Sequence, residues 1–168
     1  LGFGLFGLAL APLRATAQVG GWPVGTPQPV VQGPDLASSL RNAIQATSDQ
    51  ARLVIQSANN MGRRAQSAGY FLQNLYNDYQ TLQVQFQNLR ATFNIAGELA
   101  LQAGTAKAAN SAAELDSALN IIAEAFQPVL QADQSGGDTQ GAFVNMCQVL
   151  GEAMQVWQQQ LKKDGSRL

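Results

Sequence analysis

Residues 36–93 read LASSLRNAIQATSDQARLVIQSANNMGRRAQSAGYFLQNLYNDYQTLQVQFQNLRATF, and this stretch decides the fold class. Small or apolar side chains recur in it at alternating steps of three and four residues, with one extra four-residue step. Such spacing places a continuous apolar stripe on an α-helix. The sequence therefore predicts an all-α protein, an elongated antiparallel helical bundle or coiled coil. The stripe consists of Leu36, Leu40, Ala43, Thr47, Ala51, Val54, Ala58, Met61, Ala65, Ala68, Leu72, Leu75, Tyr79, Leu82, Phe86, Leu89 and Phe93.

The two halves of this stripe differ in the size of their side chains. Residues 43–68 contribute mostly Ala, whereas residues 72–93 contribute Leu, Tyr and Phe. Large apolar side chains bury far more area than Ala does. We therefore expect residues 72–93 to form the intramolecular core, and the thinly covered residues 43–68 to be the place where a partner binds.

The stripe keeps its phase through Gly62 and Gly69, so we expect one long helix over about residues 35–105, with Asp35 as its N-cap. Each glycine weakens a helix by about 1 kcal/mol relative to Ala. The alternative is a turn at residues 62–64 that divides the stretch into two antiparallel helices.

Two shorter helices follow, over residues 111–133 and 139–163, with a loop between them. Ser111 and Glu114 match a capping box, in which each side chain bonds the backbone amide of the other residue. Pro128 lacks a backbone N–H and is expected to kink the first of these helices late.

Charge divides between the early and late parts of the predicted bundle domain, residues 35–164. Residues 36–97 hold five Arg and two acidic residues, and residues 98–164 hold three Lys and eight acidic residues. The opposite balances favour packing of the long helix against the two shorter helices. Residues 165–168 are expected to form a tail.

The first 17 residues are expected to be a signal peptide. They are apolar, and Ala15-Thr16-Ala17 fits a signal-peptidase site, although a positively charged n-region is missing. An apolar N-terminal helix lying on the bundle is the alternative. No later run approaches the roughly 20 apolar residues of a transmembrane helix. We therefore expect a periplasmic or secreted bacterial protein without an integral membrane segment after cleavage.

Residues 18–34 are rich in Pro and Gly, which disfavours a helix and predicts an extended leader. Trp22 in this leader is a candidate anchor that docks on the helices or on a partner. The alternative is a tethered arm in which Trp22 packs only loosely.

The chain lacks the side chains on which common enzyme sites depend. It has no His, and it contains no CxxC, HExxH, GxSxG or Walker A motif. We therefore expect no enzyme activity, no cofactor and no metal. The lone Cys147 is expected to be buried. Six helical carboxylates are expected on solvated faces: Asp78, Glu98, Glu114, Asp116, Glu124 and Glu152.

Surface composition favours association with proteins rather than with nucleic acid. The net charge is −1, which gives no global attraction to a polyanion. Charged residues make up only 12% of the chain, while Gln and Asn number 22 and 10, so copies repel each other weakly.

These features predict a non-enzymatic protein that acts in protein–protein interaction or assembly, with a protein partner or a second copy. Aromatic residues crowd two helical turns at residues 70–79. We expect them to pack in the core, and a recognition patch is the alternative, because tyrosines suit interfaces. Arg63 and Arg64 form the one basic pair of the long helix. The candidate interaction residues are Trp22, Arg63, Arg64, Tyr70 and Tyr76.

Three segments of the first half carry a resemblance to a known family. Ala15-Thr16-Ala17, Trp22-Pro23-Val24 and the helix start at Asp35-Leu36 are similar to the minor pilus subunits of type IV secretion and conjugation systems. The resemblance implies a subunit of a secretion or conjugation pilus. A further alternative is a periplasmic chaperone or carrier of hydrophobic ligands, with an apolar groove lined by residues 72–93 and the third helix.

Overall fold

The computed structural model describes residues 33–165 and 167–168. The predicted signal peptide, Trp22 and all but the last two residues of the leader lie outside the described residues. All regular structure in the described part is helical, which confirms the all-α bundle. The elements are α1 (Gly33–Ala65), α2 (Leu72–Gln102), α3 (Ala106–Ala123), a 3-10 turn (Glu124–Phe126), α4 (Gln127–Ser135) and α5 (Thr139–Asp164).

The helices form an up-down-up-down bundle in which chain neighbours pack side by side. Helix α1 packs against α2 and α5, and α3 packs against α2 and α5. Gln140 and Gln158 of α5 bond Ala65 and Ser48 of α1 respectively, so these two helices run antiparallel. Helix α4 continues α3 beyond the 3-10 turn and packs on α5. This is the square arrangement of a four-helix bundle, with α1 diagonal to α3.

The prediction of one continuous helix over residues 35–105 is wrong, because the chain reverses at residues 66–71. Gly69 has a φ of 88° in this turn, a backbone conformation that residues with a Cβ rarely adopt. The step from Ala65 to Leu72 is one heptad, so the stripe keeps its phase although the chain turns back. The alternative of two antiparallel helices is therefore correct, but residues 62–64 lie inside α1.

The alanine half of the stripe is covered by α5 and α2 from Thr47 to Ala65, whereas Ala43 is half-buried and Ala68, in the turn, is exposed. This half is therefore not left open for a partner along its length. Ala51, Ala58 and Ala65 are fully buried. At Gly62 an added Cβ would lie 3.0 Å from the Cβ of Cys147. Small side chains thus let α5 approach α1 closely, and close packing compensates for the small area of each side chain.

The second half of the stripe forms the intramolecular core from Leu75 to Phe93, as expected, while Leu72 is exposed. The indole of Trp157 on α5 meets the ring of Phe93 edge-on, with centroids 5.4 Å apart. Its Nε1 donates a 2.9 Å hydrogen bond to the carbonyl of Leu115 on α3. Three helices therefore meet at this indole. The fully buried leucines of α2 are Leu75, Leu82 and Leu89.

The predicted helix over residues 111–133 begins five residues earlier than expected. Thr105 is its N-cap, and the Thr105 hydroxyl accepts a 3.1 Å hydrogen bond from the amide of Ala108. The predicted capping box is therefore wrong, and Ser111 lies buried inside α3. The physical reason is the end of α2: Gly104 takes a φ of 72°, which leaves Thr105 as the residue before the new helix.

The kink was predicted at Pro128. In the structure a 3-10 turn over Glu124–Phe126 interrupts the helix just before this residue. Pro128 lies in the first turn of α4, where its missing N–H costs no helical hydrogen bond. Helix α4 ends at Gly136, which has a φ of 71°. Gly136 and Gly137 then lead to Asp138, the N-cap of α5, whose carboxylate accepts a 2.9 Å hydrogen bond from the amide of Gly141.

Helix α5 covers the predicted range and one residue more. Asp35 does not cap α1 but lies in its first turn, because α1 begins at Gly33. The predicted tail is also wrong in one respect, since Leu168 is buried in the apolar core.

Candidate interaction surfaces

The turn between α1 and α2 is held by a cluster around Asp78. The carboxylate of Asp78 accepts a 2.8 Å hydrogen bond from the hydroxyl of Tyr70 and lies 3.2 Å from the guanidinium of Arg64. Its side chain is only 15% exposed, so Asp78 does not lie on a solvated face as expected. The ring of Tyr70 stacks on Phe143 of α5, with centroids 6.4 Å apart. The turn is thereby fixed to three helices.

The Tyr70 hydroxyl stays protonated in this cluster. Burial raises the pKa of Tyr70, and the hydrogen bond to the Asp78 carboxylate raises it further. Tyr70 is therefore a hydrogen-bond donor over the whole physiological pH range.

The other two described candidates are also bonded within the molecule. The hydroxyl of Tyr76 donates to Asp133 of α4, and this hydrogen bond raises the pKa of Tyr76. Arg63 is exposed and donates a 2.6 Å hydrogen bond to the side chain of Asn60 on its own helix. The structure thus brings Arg64 and Tyr70 together at Asp78, while Tyr76 ties α2 to α4. Trp22, the fifth candidate, lies outside the described residues.

Two large apolar side chains stand exposed beside this cluster. Phe71 is 70% exposed and Leu72 is 53% exposed, although Leu72 belongs to the predicted apolar stripe and Phe71 adjoins it. Together with the exposed ring of Tyr76 they form what we call the turn surface. Core packing therefore does not account for Phe71 or Tyr76. The signal in the sequence is an apolar pair directly after Gly69-Tyr70, where the chain has to turn.

A second apolar surface lies between α3 and α5, and the sequence patterns did not reveal it. We call this surface the α3–α5 groove; its volume is about 400 Å³. Leu115 and Trp157 are buried at its floor, while Ile121 and Val156 are 68% and 67% exposed at its walls. Ala118 and Ala153 leave the space between the helices open. The sequence does carry an indication of this groove: Ile121 and Val156 are large apolar residues that lie outside the predicted apolar stripes of their helices.

The described residues contain no metal centre and no reactive thiol. No group of three or more His, Cys, Asp or Glu side chains in residues 33–165 and 167–168 could hold a metal ion. Cys147 is buried as expected, and burial raises the pKa of its thiol to about 12. The thiol is therefore protonated and a poor nucleophile at neutral pH.

Among the described helices, none is long and apolar enough to cross a membrane.

No protein-family model, no curated protein and no solved structure matches this chain.

Proposed function

We propose that this protein is a non-enzymatic helical bundle, secreted or periplasmic, that acts in protein–protein interaction or assembly. The turn surface carries the proposal. Phe71 is 70% exposed next to Tyr70, which is held by both Asp78 and Phe143. A large apolar side chain is thus presented to solvent from a fixed backbone.

Physical chemistry favours a protein partner for such a surface. Burial of an exposed Phe or Leu side chain contributes roughly 1.5–3 kcal/mol each. Because the turn is already ordered by the Asp78 cluster, binding loses little conformational entropy. Aromatic and Arg side chains are also enriched where proteins bind each other, and Arg63 and Tyr76 lie on either side of the turn.

The secreted location rests on residues 1–17 and on the site at Ala15-Thr16-Ala17. The narrower proposal, a minor pilus-type subunit, rests on the resemblance of the leader. Neighbouring genes that encode secretion ATPases would support this narrower proposal, and their absence would count against it.

The alternative function is that of a hydrophobic-ligand carrier. The ligand cannot bind between residues 72–93 and α5, where a groove was expected. Residues 72–93 and α5 fill the core together, with Phe93 packed against Trp157. The open apolar space lies between α3 and α5 instead, and its volume of about 400 Å³ suits one small group.

Site-specific photo-crosslinking tests the interaction function. A photoreactive amino acid replaces Phe71 in the full chain, expressed in the cells from which the gene comes. We expect a cross-linked product of one defined mass, because a specific partner would cover this position. The matched control carries the same amino acid at Gln56, an exposed position on α1.

The proposal requires that the Gln56 control lacks the defined product. Equal products from both positions would contradict it. A cross-linked species of twice the mass of the chain would identify a second copy as the partner.

A further inference from the structure

The α3–α5 groove is apolar and open, and it lies level with the middle of α1, on the far side of α5. Ile121 of α3 and Val156 of α5 both line it and are exposed, and the buried indole of Trp157 lines it as well. Large exposed apolar side chains grouped around a depression mark a binding surface.

We propose that the α3–α5 groove binds the side chain of Trp22 from the chain's own N-terminal segment, residues 18–32. The occupant follows from three observations: the distance that the chain has to cover, the chemistry of the segment, and the position of the groove. The proposal does not depend on the turn surface.

The distance from Gly33 to the groove is within reach of Trp22. Ser48 of α1 bonds Gln158 of α5, which places the groove about 22 Å along the axis from Gly33, at 1.5 Å per residue. The groove lies on the far side of α5 from α1, which adds about one and a half helix spacings, roughly 15 Å, across the bundle. The direct distance is therefore about 27 Å. Trp22 and Gly33 are eleven residue steps apart, and an extended Pro-rich chain covers about 34 Å over that many steps.

The segment matches the groove in chemistry. Residues 18–34 carry no charged side chain, and Trp22 is their one aromatic residue. The lining of the groove is likewise apolar apart from Glu114 and Gln160. Side-chain oxygens of these two residues are the acceptors that a buried indole N–H needs. An indole ring buries roughly 150–250 Å², which suits a groove of this size.

Because Trp22 belongs to the same chain as the groove, even a shallow groove is sufficient to bind it. A short flexible connection raises the effective concentration of the ligand to the millimolar range. Even weak contacts with Ile121 and Val156 would then keep the groove occupied.

Fluorescence quenching of the full chain tests the proposal. The chain has two Trp residues, so each variant is also prepared with Trp22→Phe, and subtraction isolates the emission of Trp22. Val156→Glu places a charge in the groove at an exposed position that the fold tolerates. Leu53→Glu is the matched control, because Leu53 is 43% exposed on α1, the helix diagonal to α3.

We expect Trp22 to be protected from acrylamide in the unchanged chain and in Leu53→Glu. Val156→Glu should raise its quenching constant several-fold and shift its emission to the red. Equal quenching in all three chains would overturn the proposal. The protection should also persist on hundredfold dilution; its loss would show that Trp22 binds another copy, which would overturn docking within one chain.

Discussion

Asp78 connects three helices at the turn between α1 and α2. It lies on α2, yet its carboxylate joins Arg64 of α1 to Tyr70 of the turn, and Tyr70 stacks on Phe143 of α5. A hydrogen bond to a charged acceptor contributes more than a neutral one, roughly 1.5–3 kcal/mol. The exposed guanidinium of Arg64 adds less, because solvent screens it. The Tyr70–Asp78 bond is therefore the principal polar contact that holds the turn.

Replacement of Asp78 by Ala should lower the free energy of unfolding by about 2 kcal/mol, because the Tyr70 hydroxyl loses its acceptor. Urea titration followed by circular dichroism measures this change. The matched control is Asp49→Ala, since Asp49 pairs with Arg52 on the solvent-exposed side of α1. That change should be below about 0.5 kcal/mol. Equal losses would show that the turn does not depend on Asp78.

The residues of the candidate surfaces were only partly predictable. Tyr70 and Tyr76 stand out in the sequence because aromatic residues cluster there, and both lie at the turn end of the bundle. The exposure of Phe71 depends on where the chain reverses, which the unbroken heptad phase conceals. The exposure of Val156 depends on which helices flank α5, and periodicity within one helix carries no information about this.

Helix type was predictable at the scale of elements, whereas some helix ends were not. Helix α5 agrees with its prediction because Asp138 follows two glycines and precedes a regular apolar stripe. Helix α3 does not, because Thr105 and Ser111 are both acceptable N-caps in the sequence. Only the left-handed residue Gly104, which ends α2, decides between them. A local pattern thus fixes a helix start only when the end of the previous helix is known.

Glycine has a packing role at Gly62 and none at Gly97, so the two make a matched pair. Replacement of Gly97 by Ala should stabilise the protein by about 1 kcal/mol, because α2 gains helix propensity and no atom lies within 4 Å of the new Cβ. Gly62→Ala should give no such gain, since its Cβ would press against Cys147. Thermal unfolding measures both. Equal stabilisation would mean that α1 and α5 do not pack as closely as described.

The whole molecule is shorter and thicker than the sequence pattern suggested. The all-α class and the core role of residues 72–93 were correct, because apolar periodicity reports them directly. The bundle topology was not predictable, because the seven-residue step from Ala65 to Leu72 fits a continuous helix equally well. The coverage of Ala51 and Ala58 by α5 depends on contacts between residues far apart in the chain.

The distance between spin labels at Gln45 and Asn94 distinguishes the two topologies. Both positions are exposed and are replaced by Cys, while Cys147 is buried and protonated and stays unlabelled. A continuous helix would separate the two positions by about 73 Å. In the hairpin they lie on adjacent helices about 10 Å apart, so the labels should be within roughly 30 Å. A distance above 60 Å would refute the hairpin.

The pairing of α1 with α5 has a consequence for biosynthesis. The hydrogen bond from Gln158 to the Ser48 carbonyl can form only after the ribosome has added 110 further residues. Until residues 139–164 emerge, the nascent hairpin of α1 and α2 has its alanine side in water, where it is open to chaperones and proteases. The last part of the chain to be made therefore determines when the first part becomes stable.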